Sequence, residues 1–117
     1  MNTTTLTIGI GNIEDVKQRM KAAFRGKKDT TPRYTFSSAE AMARALTPSR
    51  WSLITAMTGA GPIGVRELAR RVGRDVKGVH NDAQALVLCG LMDKTGDGKL
   101  LFPYKRVKVQ FDVRAAA

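Results

Sequence analysis

Residues 65–90 read VRELARRVGRDVKGVHNDAQALVLCG, and their apolar spacing decides the fold. Val65, Leu68, Ala69 and Val72 recur at helical intervals, as do Val76, Val79, Ala83, Leu86 and Val87. Gly73 follows the first stripe and can take the left-handed conformation that stops a helix. Asp75 stands where the second helix needs a side-chain acceptor for its orphan N–H groups. Gly90 ends that helix. Two short helices joined by a three-residue turn are helix-turn-helix geometry.

The second helix has a polar outer face. Lys77, Asn81 and Gln84 are spaced i, i+4, i+7 and share one side, with Gly78 and His80 beside them. Lys can read guanine, and Asn and Gln can read adenine, so the face suits base edges. A solvated polar face is the plain alternative. His80 lacks a Ser, Cys or second His at suggestive spacing and reads as a surface or packing residue. Asp82 reads as an ion-pair partner, and Cys89 as a small core residue. Gly78 within the helix costs about 1 kcal/mol relative to Ala, which implies a helix that stiffens on DNA.

Outward from this stretch, Thr47 and Pro48 form an N-cap and first-turn pair for a preceding helix carrying Trp51, Leu53, Ile54 and Met57. That helix ends at Gly59 or Gly61. On the other side, LMDKT, GDG and KLLFPY read as strand, tight turn and strand, with Lys94 and Lys99 flanking the tip. Residues 107–113 alternate Val107, Val109, Phe111 and Val113 against Lys108, Gln110 and Asp112, a half-buried strand.

The N-terminal part opens with TTTLTIGI (3–10), a strand alternating at Leu6, Ile8 and Ile10. Asn12 is a candidate N-cap for an amphipathic helix over 13–25, whose stripe is Ile13, Val16, Met20, Ala23 and Phe24. Tyr34–Phe36 suits a short strand, and Ser37 or Ser38 caps a helix running to Leu46. A functional boundary near residue 47 divides an accessory segment, 1–46, from a DNA-binding unit, 47–117. The β-rich ends suggest a dimer in which the first strand pairs with its own copy or with 107–113 of the other subunit.

Composition limits the partners. The chain has 117 residues, enough for one domain, with 20 Lys and Arg against 10 Asp and Glu and a formal charge of +10. Such a charge favours nucleic acid, an acidic protein or a membrane surface. Eight of the basic residues lie in 1–46 and twelve in 47–117, so no polybasic tail exists. One Cys and one His exclude an intrachain disulfide and a Cys/His metal cluster. No apolar run is long enough for a membrane span, and the start lacks a signal-peptide pattern, so a cytoplasmic location follows as an expectation. No nucleophile–base set, phosphate loop or dinucleotide glycine pattern is present, so the chain reads as a non-enzyme without cofactor or metal.

With TPSRWSLITAM as first helix, 65–92 as turn and recognition helix, and DKTGDGKLLFPY as wing, residues 47–104 resemble the winged helix-turn-helix transcriptional regulators of bacteria and archaea, broadly the MarR-like class. The resemblance implies an α+β fold: a winged helix-turn-helix with an N-terminal strand-helix extension and a C-terminal wing and strand. It implies a homodimer on double-stranded DNA that represses transcription. Lys77, Gly78, His80, Asn81 and Gln84 would face the major groove. Arg50, Arg66, Arg70, Arg71 and Arg74 would contact phosphates, and Lys99 would act at the wing.

In size and layout the chain also resembles small regulators that act as antitoxins, which implies a protein toxin as a further partner. Met20, Phe24, Tyr34, Phe36 and Met42 could supply that surface, or could instead cover the core or the dimer interface. An RNA-binding winged helix is a third reading, weakened by having only seven aromatic residues for base stacking.

Overall fold

A computed structural model describes residues 4–11, 13–26, 31–113 and 115. The chain opens with strand β1 (Thr5–Ile10), helix α1 (Ile13–Phe24) and strand β2 (Arg33–Phe36). Helices α2 (Ala39–Ala45), α3 (Pro48–Met57), α4 (Val65–Val72) and α5 (Val76–Leu88) follow. Strands β3 (Asp93–Lys94), β4 (Leu100–Leu101) and β5 (Arg106–Gln110) close it. The protein is thus a small α+β domain. None of the described helices is long and apolar enough to cross a membrane.

The helix starts follow local chemistry. Ser38 Oγ accepts from the Ala41 N–H at 3.0 Å, opening α2. Thr47 Oγ1 accepts from the Arg50 N–H at 3.4 Å, with Pro48 in the first turn of α3, where its missing N–H costs nothing. The candidate cap Asn12 lies outside the described residues, as do the side chains of Ile13 and Val16. Helix α3 stops at Met57, and Gly59 and Gly61 beyond it both have positive φ.

Helices α3, α4 and α5 each pack on the other two. Leu53, Ile54 and Met57 of α3 are buried with Leu68 and Ala69 of α4 and Val79, Ala83 and Leu86 of α5. Each large apolar side chain so buried contributes about 1.5–3 kcal/mol. Val76, expected on this stripe, is 43% exposed. It opens α5 next to the cap, one turn short of the point where the helix meets the core.

The sheet overturns the expected dimer pairing. β1 lies between β2 and β5 in one chain, parallel to both, in the order β2-β1-β5. Its partners run from Thr7↔Arg33 to Ile10↔Phe36 on one side and from Thr5↔Arg106 to Gly9↔Gln110 on the other. Both edges of β1 are therefore filled, which leaves no backbone for a second copy. Parallel neighbours need crossovers, and α1 supplies the one from β1 to β2. Thr5, Leu6, Thr7 and Ile8 are all buried, so β1 is covered on both faces rather than alternating. Gly9 allows the close approach: a Cβ there would meet the Gln110 carbonyl oxygen at 3.0 Å. Leu6, Ile8 and Phe36 join the helical residues in one core, which spans the expected boundary near residue 47.

The C-terminal strands are shorter than their sequence suggests. β3 and β4 pair antiparallel through Asp93↔Leu101 and Lys94↔Leu100. Leu91, Met92 and Phe102 leave the ladder to fill the core. Ile63 adds a bridge beside β4, its N–H donating to the Leu100 carbonyl at 2.9 Å and its carbonyl accepting at 2.8 Å. β5 ends at Gln110, opposite Gly9 and one residue short of the end of β1, and Phe111 and Val113 beyond it are exposed.

Candidate nucleic-acid interface

The turn between α4 and α5 is built by Gly73, Arg74 and Asp75. Gly73 adopts φ 70°, and the Arg74 N–H donates back to the Ala69 carbonyl at 3.1 Å, which closes the end of α4. Asp75 accepts from the Gly78 N–H at 3.1 Å and starts α5. Gly78 lies close under this cap: a Cβ would lie 3.0 Å from the Asp75 carboxylate and 3.3 Å from the Arg74 guanidinium, so both side chains would have to give by a few tenths of an ångström. Helix α5 continues through Gly78 unbroken.

With Val79, Ala83 and Leu86 directed into the core, α5 turns Lys77, His80, Asn81 and Gln84 outward, all exposed. Leu88 extends the same line at i+11 from Lys77 and is 82% exposed. Only its apolar character hid it from the sequence reading, which took polar residues as the mark of the outer face.

The arginines fall into two groups. Arg50 Nε donates to Asp82 Oδ1 at 3.2 Å, and Arg74 Nη2 donates to Oδ2 at 2.8 Å. Arg50 also donates to the Ala45 carbonyl at 3.2 Å and Arg74 to the Ser49 carbonyl at 3.4 Å. Asp82 thus holds α5 to α3 and to the turn, the ion-pair role expected of it. Burial pushes its carboxyl pKa up, but the hydrogen bonds from Arg74, Arg50 and Ser49 outweigh this and hold it below the usual carboxylate range. Arg50 and Arg74 therefore serve first as structural clamps.

Arg66, Arg70 and Arg71 are exposed on α4. Arg70 Nη2 donates to both oxygens of Glu67, and Arg71 Nε donates to Glu67 Oε2 at 3.1 Å. The hydrogen bonds from Arg70 and then Arg71 lower the Glu67 pKa. These are exposed pairs, cheap to rearrange around a stronger anion. Lys94 and Lys99 are exposed on the hairpin, whose Thr95 N–H donates to the Lys99 carbonyl at 2.8 Å. The Thr95 hydroxyl bonds Asp97 at the tip and holds its carboxyl below the ordinary range.

Of the apolar residues considered for a protein partner, Phe36 is buried and Tyr34 and Met42 pack against the core. Met20 and Phe24 stay exposed on α1, Phe24 at 88%. A separate open groove of about 400 Å³ lies between α3 and β5, lined by Trp51, Ile54, Thr55, Thr58, Val107 and Val109. Among the described residues no cluster of three or more His, Cys, Asp or Glu could hold a metal ion.

No curated protein and no solved structure shows significant similarity to the chain. One family model matches residues 45–109, a span that begins before α3 and runs into β5, covers more than half the sequence and includes every residue of the α4–α5 site. The chain belongs to the HVO_A0114 family.

Proposed function

We propose that the protein is a sequence-specific double-stranded DNA-binding regulator of the winged helix-turn-helix class, broadly MarR-like, and that it represses its own transcription as a homodimer. The observation that carries the reading is α5 itself. It is anchored through Val79, Ala83, Leu86 and Asp82, and turns Lys77, His80, Asn81 and Gln84 to solvent on one rigid element. A helix held in this way can enter a major groove without paying to order itself. The bridge from Ile63 to β4, with β3 beyond, supports a small wing whose Lys94 and Lys99 reach phosphates. Arg66, Arg70 and Arg71 add salt-dependent affinity by releasing counterions.

The test is anisotropy with the DNA upstream of the gene and a scrambled duplex, across salt concentrations. The expected result is a preference of at least about a hundredfold near physiological salt. Lys77→Ala or Gln84→Ala is expected to cost about 1–3 kcal/mol on the preferred duplex alone. Equal, salt-fragile binding to both duplexes would refute base reading by α5. A second role, neutralising a toxin by direct contact, draws on exposed Met20 and Phe24. Co-purification with a toxin encoded beside the gene, lost on Phe24→Ser, tests it.

A further inference from the structure

Strand β5 closes one side of the sheet. It pairs with β1 alone, so in the order β2-β1-β5 its outer edge has no strand beside it among the described residues. The Arg106 N–H donates to the Thr4 carbonyl at 3.1 Å, so Arg106 aims its backbone at β1. Backbone groups alternate along a strand, and Val107 and Val109 therefore aim theirs outward. The side chains are divided as well. Val107 and Val109 line the open groove against α3, beside Trp51. Arg106, Lys108 and Gln110 alternate with them and are exposed. Phe111 and Val113 carry the apolar alternation past the end of the strand, and Val109, Phe111 and Val113 are all exposed. An open edge flanked by exposed apolar side chains is a template for another strand.

We propose that this edge pairs with β5 of a second copy of the chain, antiparallel about a two-fold axis at Val109, which joins two three-stranded sheets into one. The proposal deepens the homodimer reading above and rests on it, without drawing on DNA binding. Charge complementarity identifies the occupant. With Val109 opposite Val109 of the copy, and the strand extended through Asp112, each Arg106 meets Asp112 of the copy, each Lys108 meets Gln110 and each Val107 meets Phe111. Opposite charges and apolar pairs directly across a ladder stabilise it. Neither Arg106 nor Asp112 has an ion-pair partner within the chain among the described residues. The outward backbone groups of Val107 and Val109 all find partners in this register. An axis at Lys108 would set two lysines face to face, and one at Gln110 would hand Asp112 to Lys108 and leave Arg106 without an acid. Phe111 of the copy then lies next to Val107, over the groove between α3 and β5.

The test is sedimentation equilibrium of the full chain over a concentration series. The wild type should be a dimer. Arg106→Glu and Asp112→Arg each replace two attractive pairs with two repulsive ones, and each should raise the dimer Kd about tenfold or more. Mixed in equal amounts, the two variants should form a heterodimer of wild-type affinity, since every charge then meets its opposite. That recovery requires both chains to be folded, which separates charge from a folding defect. Val109→Pro removes an N–H on the open edge, where proline is tolerated, and should give a folded monomer by circular dichroism. A wild-type dimer that neither charge variant weakens overturns this pairing and leaves the homodimer standing. Weakened dimers that do not recover on mixing overturn it in favour of a different segment against β5. A wild type that stays monomeric overturns this proposal and the homodimer together, while duplex binding is judged by anisotropy alone.

Discussion

Asp82 is the residue on which the site's geometry turns. It sits on α5 between the outward polar line and the core, and two arginines from other parts of the chain converge on its two oxygens. Removing the carboxylate leaves Arg50 and Arg74 without their partner. Asp82→Asn is expected to lower unfolding stability by about 1–2 kcal/mol at neutral pH, within the range for charged hydrogen bonds at a partly exposed position. The folded-state pKa of Asp82 is depressed, so its contribution is full above the unfolded value and is lost as pH falls through the folded one. Denaturant melts of the two proteins should therefore converge as pH drops below about 4. A constant gap down to strong acid would show that the carboxylate's charge is not what matters.

At the scale of elements, a polar contact ties β2 to the end of α5. The Tyr34 hydroxyl donates to the Cys89 carbonyl, one of the orphan acceptors at the end of α5. The Tyr34 ring also packs, tilted by 55°, against that of buried Phe36, with centroids 4.9 Å apart. Tyr34→Phe keeps the ring and removes only the donor, so a loss of about 1 kcal/mol is expected in thermal or chemical melts. Because the bond lies at the far end of α5 from its cap, discrimination by Lys77 and Asn81 should be unaffected. The capping of α5 was legible from Gly73 and Asp75, because both act on neighbours within three residues. The Tyr34 contact was not, because it joins positions 55 residues apart and nothing local marks it.

For the whole molecule, β1 is the central strand of a sheet that joins the first and last parts of the chain. Deleting residues 1–11 removes the strand to which both β2 and β5 are bonded, along with buried Leu6 and Ile8. The expected outcome is a loss of cooperative unfolding or of folding itself, seen by circular dichroism and already present at protein concentrations where the chain is monomeric. A truncated chain that melts like the full-length one would show that the sheet is dispensable. The earlier expectation, a dimer held through β1, predicted instead an effect confined to oligomeric state.

The sequence by itself determined the helices of residues 38–90, their caps and the turn that sets α4 against α5. These depend on apolar periodicity and on side chains that bond their own neighbourhood. It also determined that α5 turns Lys77, His80, Asn81 and Gln84 outward, because Val79, Ala83 and Leu86 can satisfy only one face, although it placed Val76 inside and passed over Leu88. The tertiary structure alone decided that the terminal strands meet within one chain. Parallel pairing over a separation of about a hundred residues leaves no local trace, and an alternating strand reads the same whether its partner is near, distant or in another subunit. It also decided that Arg50 and Arg74 serve Asp82 before any phosphate, since an arginine's charge is legible in sequence but its nearest carboxylate is not.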